Sequence, residues 1–328
     1  MVLWILGVII AGLALLPIFS RLLCGRISYT GKHVLISGGS SGIGLAIAKE
    51  FAKRGSHVTV VARTETKLKD AVAEIKLSAS AEQKIGFVSA DMTDFEGVQS
   101  CIDKAIHLTG PLDVVVANAG ASHPGYFLEQ DVSVFRKTME SNYMGTVHLL
   151  KAAAPGMVER RQGQIVIVAS AAAVVSFIGY SSYAPTKFAL RGLADTLRNE
   201  LLGFGVSVHI AYPPDTNTPG YAEEQKLKPK ECADFSAAVG TPFSAAAVAS
   251  SLVSGLSSRL YHLPSPDFLQ NRLVDTMVGV TPRNNAVLEW FSLPLLALVE
   301  WLFLRVVDHF GSRYGKRVAA DQLKAKTH

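Results

Sequence analysis

The sequence predicts a doubly wound α/β fold built on a parallel sheet, with apolar segments at both ends of the chain. Two observations point to this class. Short apolar runs rich in β-branched residues alternate with helix-length amphipathic segments through the middle of the chain. Each run is almost continuously apolar, as expected where helices cover both faces of a parallel sheet. A chain of 328 residues suffices for one main domain with appendages.

Composition points to a chain associated with a membrane. Hydrophobic residues make up 49% of the sequence, and the excess of apolar residues lies at the two ends. The three cysteines, Cys24, Cys101 and Cys232, are widely spaced and include no C-x-x-C pair. They favour a reducing compartment over a disulfide framework.

The N-terminal segment is a candidate membrane anchor over residues 1–24. Residues 1–19 carry no charge, and Arg21, Arg26 and Lys32 follow. The length suits one transmembrane helix, and the positive charges behind it place the remaining chain on the cytosolic side. A cleaved signal peptide is the alternative. It is weakened by the absence of a basic n-region and of an A-x-A-like cleavage site.

Six runs predict the strands of the central domain, which we place at residues 30–265. They are HVLIS, HVTVVA, IGFVSA, DVVVANA, QIVIVAS and VSVHIAY. Amphipathic segments such as SGIGLAIAKEFAKRG separate them and predict the covering helices. The segment SASAEQK is only a polar loop.

The turn after the first strand, SGGSSGIG, predicts a dinucleotide site. Its glycines follow the pattern G-x-x-x-G-x-G, which lets the backbone turn tightly and approach a pyrophosphate. The helix that follows offers unpaired N–H groups and the positive end of its dipole to the phosphates. The residues expected to contact the cofactor here are Gly38, Ser40, Ser41, Gly42, Ile43 and Gly44.

The end of the second strand indicates which dinucleotide binds. An NAD site is expected to place an acid there, but this chain has Ala62 followed by Arg63. Because an arginine binds a 2′-phosphate that an acid would repel, we expect NADPH or NADP. The alternative is that Arg63 is a solvated loop residue. Asp91 is expected near the adenine, and it is also a candidate helix N-cap.

The candidate catalytic residues follow the fifth strand. Tyr183 and Lys187 are spaced i, i+4, which places them on one face of a helix. An ammonium beside a phenol lowers the pKa of the phenol, so this tyrosine could exchange protons near neutral pH. An isolated pair of this kind is usually a surface pair, but here Ser170 precedes it at a strand end. Asn118, in the NAG motif after the fourth strand, and Asn142 lie upstream.

With these motifs in order, the sequence resembles the short-chain dehydrogenase/reductase family over residues 31–263. The resemblance implies a Rossmann-type fold, with Tyr183 as general acid and with Lys187 both lowering its pKa and holding the nicotinamide ribose. It further implies that Ser170 polarises the substrate carbonyl, that Asn118 contributes to the cofactor site and that Asn142 anchors a proton-relay water. No metal site is expected. Homodimerisation through the helices carrying Asn142 and Tyr183 is expected by resemblance alone.

The loop after the sixth strand departs from the family pattern. Pro214 stands where the family usually has glycine, so the turn loses an N–H donor and should be stiffer. Thr218 matches a family threonine that helps to hold the cofactor, and the backbone at Thr216 is expected to meet the carboxamide. The region 221–243 is expected to form a mobile lid.

With this departure and its apolar ends, the sequence resembles those family members that use NADPH to reduce the C3 ketone of a sphingoid-base lipid. The acids Asp215, Glu223 and Glu224 are then candidates to attract the substrate ammonium, the alternative being a solvated helix start with capping acids. Reduction of another lipid carbonyl, of a steroid, retinoid or fatty-acyl group, remains an alternative function. A non-catalytic membrane scaffold is a remote one, since a scaffold needs no catalytic set.

The C-terminal segment, residues 266–328, is expected to associate with a membrane. Glu289, Glu300 and Arg305 interrupt its apolar stretch, so an interfacial or re-entrant helix is favoured over a span. A helix packed on the core or on a second subunit is the alternative. From Arg305 onward, six basic and two acidic residues carry +4 of the net charge of +5. This tail suits an anionic cytosolic membrane surface better than a nucleic acid. The resemblance implies the endoplasmic reticulum membrane, with the catalytic domain facing the cytosol.

Overall fold

The computed structural model confirms the doubly wound parallel sheet. It describes residues 25–275 continuously and, beyond them, residues 277, 284, 289, 293, 296–298, 302, 305–306, 308–310, 313, 317 and 321. The candidate anchor, residues 1–24, lies outside the described residues. The domain boundaries proposed from the sequence stay a prediction.

Seven parallel strands form the main sheet, and the six expected from the sequence are among them. They are β1 (His33–Ser37), β2 (His57–Ala62), β3 (Ile85–Ser89), β4 (Val114–Ala117), β5 (Gly163–Val168), β6 (Val206–Ala211) and β9 (His262–Leu263). Their spatial order is β3-β2-β1-β4-β5-β6-β9. A separate two-stranded ladder pairs β7 (Thr216–Asn217) with β8 (Phe243–Ser244). The sequence did not predict β7, β8 or β9, because two residues are too few to show an alternating or continuous apolar pattern.

Helices connect the strands and cover both faces of the sheet. They are α1 (Gly42–Lys53), α2 (Glu65–Lys76), α3 (Phe95–Thr109), α4 (Val132–Met139), α5 (Gly145–Glu159), α6 (Ala184–Leu202), α7 (Pro219–Leu227), α8 (Lys230–Val239), α9 (Ala245–Ser257) and α10 (Phe268–Asp275). A π-helical turn, Glu140–Met144, joins α4 to α5. A 3₁₀ turn, Ala171–Ala173, follows β5.

Alternation along the strands divides the core into two layers. Val34 and Ile36 of β1 belong to one apolar cluster, which includes buried residues of α1, α2 and α9. Leu35, between them, belongs to the other cluster, with buried residues of α3, α5 and α6. Both faces of β1 are therefore buried. This burial explains why apolar residues occupy successive positions of the strand.

The strand order fixes where a ligand can bind. From β1 the chain proceeds outward through β2 to β3, and it then crosses back to β4 on the other side of β1, so its direction across the sheet reverses between β1 and β4. In open α/β sheets the crevice outside the carboxyl ends of the strands, at such a reversal, is the ligand site. The glycine-rich turn, the NAG motif and Ser170 all follow strand ends at this edge.

The region expected to be a lid folds mainly as α7 and α8. Cys232 and Phe235 of α8 are buried, and the ring of Phe235 lies 4.3 Å from that of Phe177. The motion of this region stays a prediction.

The described part of the C-terminal segment partly packs on the domain. Met277 joins the core cluster that contains Leu35, and Leu296 is buried, whereas Leu298 and Leu302 are exposed. No helix among the described residues combines the length and apolarity needed to cross a membrane.

Two arginines of the basic tail make contacts that the sequence did not predict. Arg313 Nη2 lies 3.0 Å from Asp234 Oδ2. Arg317 Nε lies 3.0 Å from Glu231 Oε1, and its Nη2 donates to the Tyr126 hydroxyl at 2.8 Å. These two charges therefore pair with carboxylates of α8, and the expected contact of the basic tail with a membrane stays a prediction.

We predict that Gly44→Ala destabilises the domain by about 1–3 kcal/mol, because it overfills a tight contact. A Cβ at Gly44 would lie 2.3 Å from the Gly38 carbonyl oxygen and 2.6 Å from Asn118 Nδ2. Gly192→Ala is the matched control, since a Cβ there meets nothing within 4 Å and helical alanine is favoured over glycine by roughly 0.5–1 kcal/mol. Denaturant unfolding of both variants measures the difference. Equal stabilities would contradict the proposed close approach.

Candidate active site

A cavity of about 660 Å³ opens at the carboxyl edge of the sheet. Its lining combines the glycine-rich turn, the ends of β2, β3, β4 and β5, the start of α6, and the loop and helix that follow β6. Of the fifteen different residues proposed from the sequence as catalytic or cofactor-binding, the cavity wall includes all except Gly44 and Asn142. The structure thus brings the separate motifs to one place.

The glycine-rich turn forms a cradle that fits a dinucleotide. Gly38 and Gly42 adopt positive φ values of 66° and 57°, which an L side chain rarely tolerates. Ser41 is the N-cap of α1, and its side chain makes no capping hydrogen bond. The N-terminal N–H groups of α1 are therefore not satisfied by that side chain, at the end of the helix where a phosphate is favoured.

Gly44 acts behind this cradle, not on its surface. It is buried in α1 and gives the helix room to approach the backbone of Gly38. Its expected contact with the cofactor stays a prediction.

Asn118 ties the cradle to the sheet. Its Nδ2 donates to the carbonyl oxygens of Ser37 at 3.1 Å and Gly38 at 3.4 Å. Ser37 Oγ in turn accepts from the backbone N–H groups of Asn118 and Ala119. These bonds hold the end of β1 against the end of β4, so Asn118 positions the turn whether or not it also contacts a cofactor.

Arg63 and Asp91 lie together at the ends of β2 and β3. Arg63 Nη1 is 3.9 Å from Asp91 Oδ2, and the Arg63 side chain is 77% exposed. So loose and exposed a pair adds little to stability and leaves the guanidinium accessible at the cavity wall. The Asp91 carboxylate accepts from the Thr93 N–H and hydroxyl, which lowers its pKa. The N-cap of α3 is Asp94, so the expectation that Asp91 caps this helix is wrong.

Ser170 and Tyr183 are hydrogen-bonded through their side chains. Ser170 caps the 3₁₀ turn after β5, where its Oγ accepts from the Ala172 N–H at 3.2 Å. Burial raises the pKa of Tyr183, the bond with Ser170 lowers it, and Glu224 and Asp215 raise it further. The net direction is opposite to the expected lowering by Lys187, because removal of the phenolate from water outweighs the other effects.

Lys187 is buried one helical turn after Tyr183. Its Nζ donates to the Val168 carbonyl oxygen at 3.2 Å and lies 5.5 Å from the centre of the Tyr183 ring. Burial lowers the pKa of Lys187 to about 8. The amine is therefore held beside the phenol in a setting that penalises its charge.

Asn142 joins three elements of the site from the π-helical turn. Its Oδ1 accepts from the Ala121 N–H at 2.9 Å, and its Nδ2 donates to the Ala121 carbonyl at 2.9 Å and to Thr186 Oγ1 at 3.1 Å. The loop after β4 is thereby fixed to α6 beside Lys187. The expected role of Asn142 in holding a water stays a prediction.

The loop after β6 links the cofactor side to α7. Thr216 Oγ1 donates to the Pro214 carbonyl at 2.6 Å. Thr218 is the N-cap of α7 and accepts from the Tyr221 N–H at 3.0 Å. A Cβ on Gly42 would lie 3.2 Å from the Thr218 side chain, so this threonine packs directly on the glycine-rich turn.

Sequence reasoning singled out Asp215 and Glu224 but missed the lysine that pairs with both of them. Lys228, at the end of α7, has a fully buried side chain whose Nζ lies 3.4 Å from Glu224 Oε1 and 3.7 Å from Asp215 Oδ2. Tyr180 also hydrogen-bonds Glu224. A lysine in a charged helix resembles a solvated residue in sequence, and no local signal marks its burial.

Comparison with known proteins shows which family and which characterised enzymes this chain is similar to. Residues 32–228 match the family model described as short chain dehydrogenase. A 3-dehydrosphinganine reductase of Danio rerio is 43% identical over 70% of this chain and 70% of its own length. A 3-ketodihydrosphingosine reductase of Dictyostelium discoideum is 36% identical over 82% of this chain and 84% of its own length.

Solved structures share the fold. A short chain dehydrogenase/reductase from Burkholderia phymatum, in complex with NAD, superposes with a TM-score of 0.67 at 22% identity, covering 76% of this chain and 94% of that one. Levodione reductase superposes with a TM-score of 0.66 at 22% identity, covering 72% and 96%. At this identity the likeness concerns the fold alone.

We predict that Lys187 makes stability depend on pH between about 8 and 10. Its pKa is about 8 in the folded protein, against 10.5 in the unfolded chain, so in this interval the unfolded chain binds more protons and stability rises with pH. The unfolding free energy of wild type relative to Lys187→Met should rise by up to about 1.4 kcal/mol per pH unit.

Denaturant unfolding at several pH values measures this dependence. Lys226→Met is the control for loss of an exposed lysine. A difference between wild type and Lys187→Met that stays constant across the interval would contradict the prediction.

Proposed function

The chain belongs to the short-chain dehydrogenase family, and on that premise we propose that it reduces the C3 ketone of 3-ketosphinganine to sphinganine. The observation that carries the proposal is the 43% identity with a 3-dehydrosphinganine reductase, in a chain whose Ser170, Tyr183 and Lys187 line one cavity. The chain is accordingly an oxidoreductase of sphingolipid biosynthesis that uses a nicotinamide cofactor.

Proton transfer in this reaction falls to Tyr183. A reduced nicotinamide dinucleotide, when bound, supplies the hydride that the carbonyl carbon accepts. The carbonyl oxygen then needs a proton, and the donor is the Tyr183 hydroxyl. A phenol is protonated at neutral pH, and burial, which raises the pKa of Tyr183, makes this one still harder to ionise. The Ser170 hydroxyl, hydrogen-bonded to Tyr183, stabilises the charge that develops on that oxygen.

Lys187 and Asn142 support this donor. A cation beside the phenol favours the tyrosinate left by proton transfer, and Lys187 Nζ lies within 5.5 Å of the ring centre. Asn142 fixes the loop after β4 beside the start of α6. The amine and the phenol are therefore positioned before the substrate arrives, which lowers the cost of reorganisation during the reaction.

We propose NADPH as the reductant. Arg63 supports this choice, because its exposed guanidinium lies at the end of β2, where an acid would favour NAD. Asp91 is 3.9 Å away and lies at the end of the neighbouring strand, so Arg63 remains the residue best placed for a 2′-phosphate.

We propose a location at the endoplasmic reticulum membrane, with the catalytic domain in the cytosol. The uncharged run of residues 1–19 and the basic residues behind it support this orientation. Exposed apolar side chains near the other end, Phe268, Leu298 and Leu302 among them, suit contact with lipid. A long acyl chain dissolves in the bilayer, so an enzyme held there needs to draw only the polar head of its substrate into the cavity.

We propose a homodimer formed through the helices that carry the catalytic residues. Phe188 of α6 is 40% exposed. Ile106 and Leu108 present further apolar surface on α3, which carries no catalytic residue but packs against α5, the helix that follows Asn142. A second copy of the chain would cover such side chains.

The activity is tested with membranes that contain the protein, NADPH and 3-ketosphinganine. Wild type should form sphinganine, and Tyr183→Phe should lower kcat by roughly 10²–10⁴, since it removes the proton donor and keeps the ring. A panel of steroid, retinoid and fatty-acyl carbonyls distinguishes other lipid reductases. No sphinganine from wild type, or an undiminished rate in Tyr183→Phe, would sink the proposal.

Cofactor choice is tested by Arg63→Asp. The substitution should raise the KM for NADPH by roughly tenfold to a hundredfold, because a cation is replaced by a charge that repels the 2′-phosphate. NADH lacks this phosphate and is the internal control. Equal changes in KM for NADPH and NADH would show that Arg63 does not bind the 2′-phosphate.

A further inference from the structure

The cavity wall opposite the glycine-rich turn carries an unbalanced group of charges. Two carboxylates, Asp215 in the loop after β6 and Glu224 on α7, share the single ammonium of Lys228, at 3.7 and 3.4 Å. The Lys228 side chain is fully buried, its Nζ donates to Ser236 Oγ at 3.0 Å and it lies 4.8 Å from the centre of the Tyr221 ring. With one cation and two anions, the group keeps one negative charge.

The two carboxylates differ in what they can still bind. Glu224 Oε1 accepts from Tyr180 and faces Lys228, and the Glu224 side chain is only 16% exposed. Asp215 uses Oδ2 for both of its close contacts, the Tyr221 hydroxyl at 3.1 Å and Lys228. Its side chain is 45% exposed and lines the cavity, so Asp215 is the carboxylate that a ligand can reach.

Asp215 is held in place by contacts on both sides. Its carbonyl oxygen accepts from the Phe243 N–H at 2.9 Å, next to the β7–β8 ladder. The alternative role considered for these acids, capping a helix, does not explain Asp215, because the N-cap of α7 is Thr218. Glu223 does fit the solvated alternative, since it is exposed and pairs with Lys226.

This negative charge opposes the chemistry of the site unless something offsets it. Burial is the main cause of the raised pKa of Tyr183, and the charges of Glu224 and Asp215, which lie on this wall, raise it further. Tyr183 becomes a tyrosinate as it gives up its proton, and the carbonyl oxygen gains electron density during the same step. Nearby carboxylates disfavour both changes. A cation next to the reacting carbonyl would offset this penalty during catalysis.

We propose that Asp215 binds the ammonium group at C2 of an α-amino ketone and thereby selects such substrates over neutral ketones. The inference rests on the proposed function, which supplies a ketone at C3 with an amine on the adjacent carbon. Lys228 and Tyr221 hold the Asp215 carboxylate, and Glu224 adds negative potential behind it. The substrate ammonium completes the charge balance that the wall lacks.

The test compares two substrates with three proteins. The substrates are 3-ketosphinganine and its 2-deamino analogue, which keeps the ketone and chain but lacks the charge. The proteins are wild type, Asp215→Asn and the control Glu223→Gln. Wild type and Glu223→Gln should favour the amine substrate in kcat/KM by about tenfold. Asp215→Asn should lose this preference and should reduce the deamino analogue at least as fast as wild type, because its carboxylate no longer opposes the charge that develops at Tyr183 and the carbonyl oxygen; activity on this analogue also shows that the variant is folded.

The outcomes distinguish failure of the proposed ammonium binding from failure of the proposed reductase activity. If wild type reduces both ketones equally well, or if Asp215→Asn keeps the preference, the inference is overturned while the proposed function stands. A wild type that reduces neither substrate overturns both. If Asp215→Asn proves unstable, Asp215→Ser removes the same charge and takes its place in the comparison.

Discussion

The site depends on the burial of the Lys187 amine, which excludes it from solvent. An ammonium removed from water needs polar partners at fixed positions, and this one finds the carbonyl at the end of β5. The Tyr183 ring lies one helical turn away on the same face of α6. Burial that penalises the charge of the lysine also penalises the charge of the phenolate. The pair therefore starts the reaction with the proton on tyrosine, as a reductase requires.

The surrounding structure can be understood as support for that arrangement. Asn142 belongs to a π-helical turn, whose wider spacing departs from the regular helix on either side. From there its amide reaches both the loop after β4 and Thr186 on α6. Asn118 does the same for the glycine-rich turn. Two asparagines thus fix two loops of the cavity wall, the glycine-rich turn and the loop after β4.

The sequence predicted most of the fold and the main catalytic residues, for identifiable physical reasons. Strands such as β1 and β6 are buried on both faces and show it in their composition, and the glycine-rich turn needs backbone conformations that few residues other than glycine adopt. The two-residue strand β9 gave no such pattern. The burial of Lys228 and the direction of the Tyr183 pKa depend on residues that meet only after folding. Local sequence therefore could not reveal them.

The contacts of Arg317 have a consequence for how the chain assembles. This residue meets Glu231, 86 positions earlier, and Tyr126, 191 positions earlier. Contacts between residues so far apart form late, because a long loop must close before they contribute. During synthesis the nucleotide-binding half can complete its sheet order from β1 to β5 well before Arg317 leaves the ribosome. The contacts that tie Tyr126 and Glu231 to Arg317 can then form only after most of the sheet has been made.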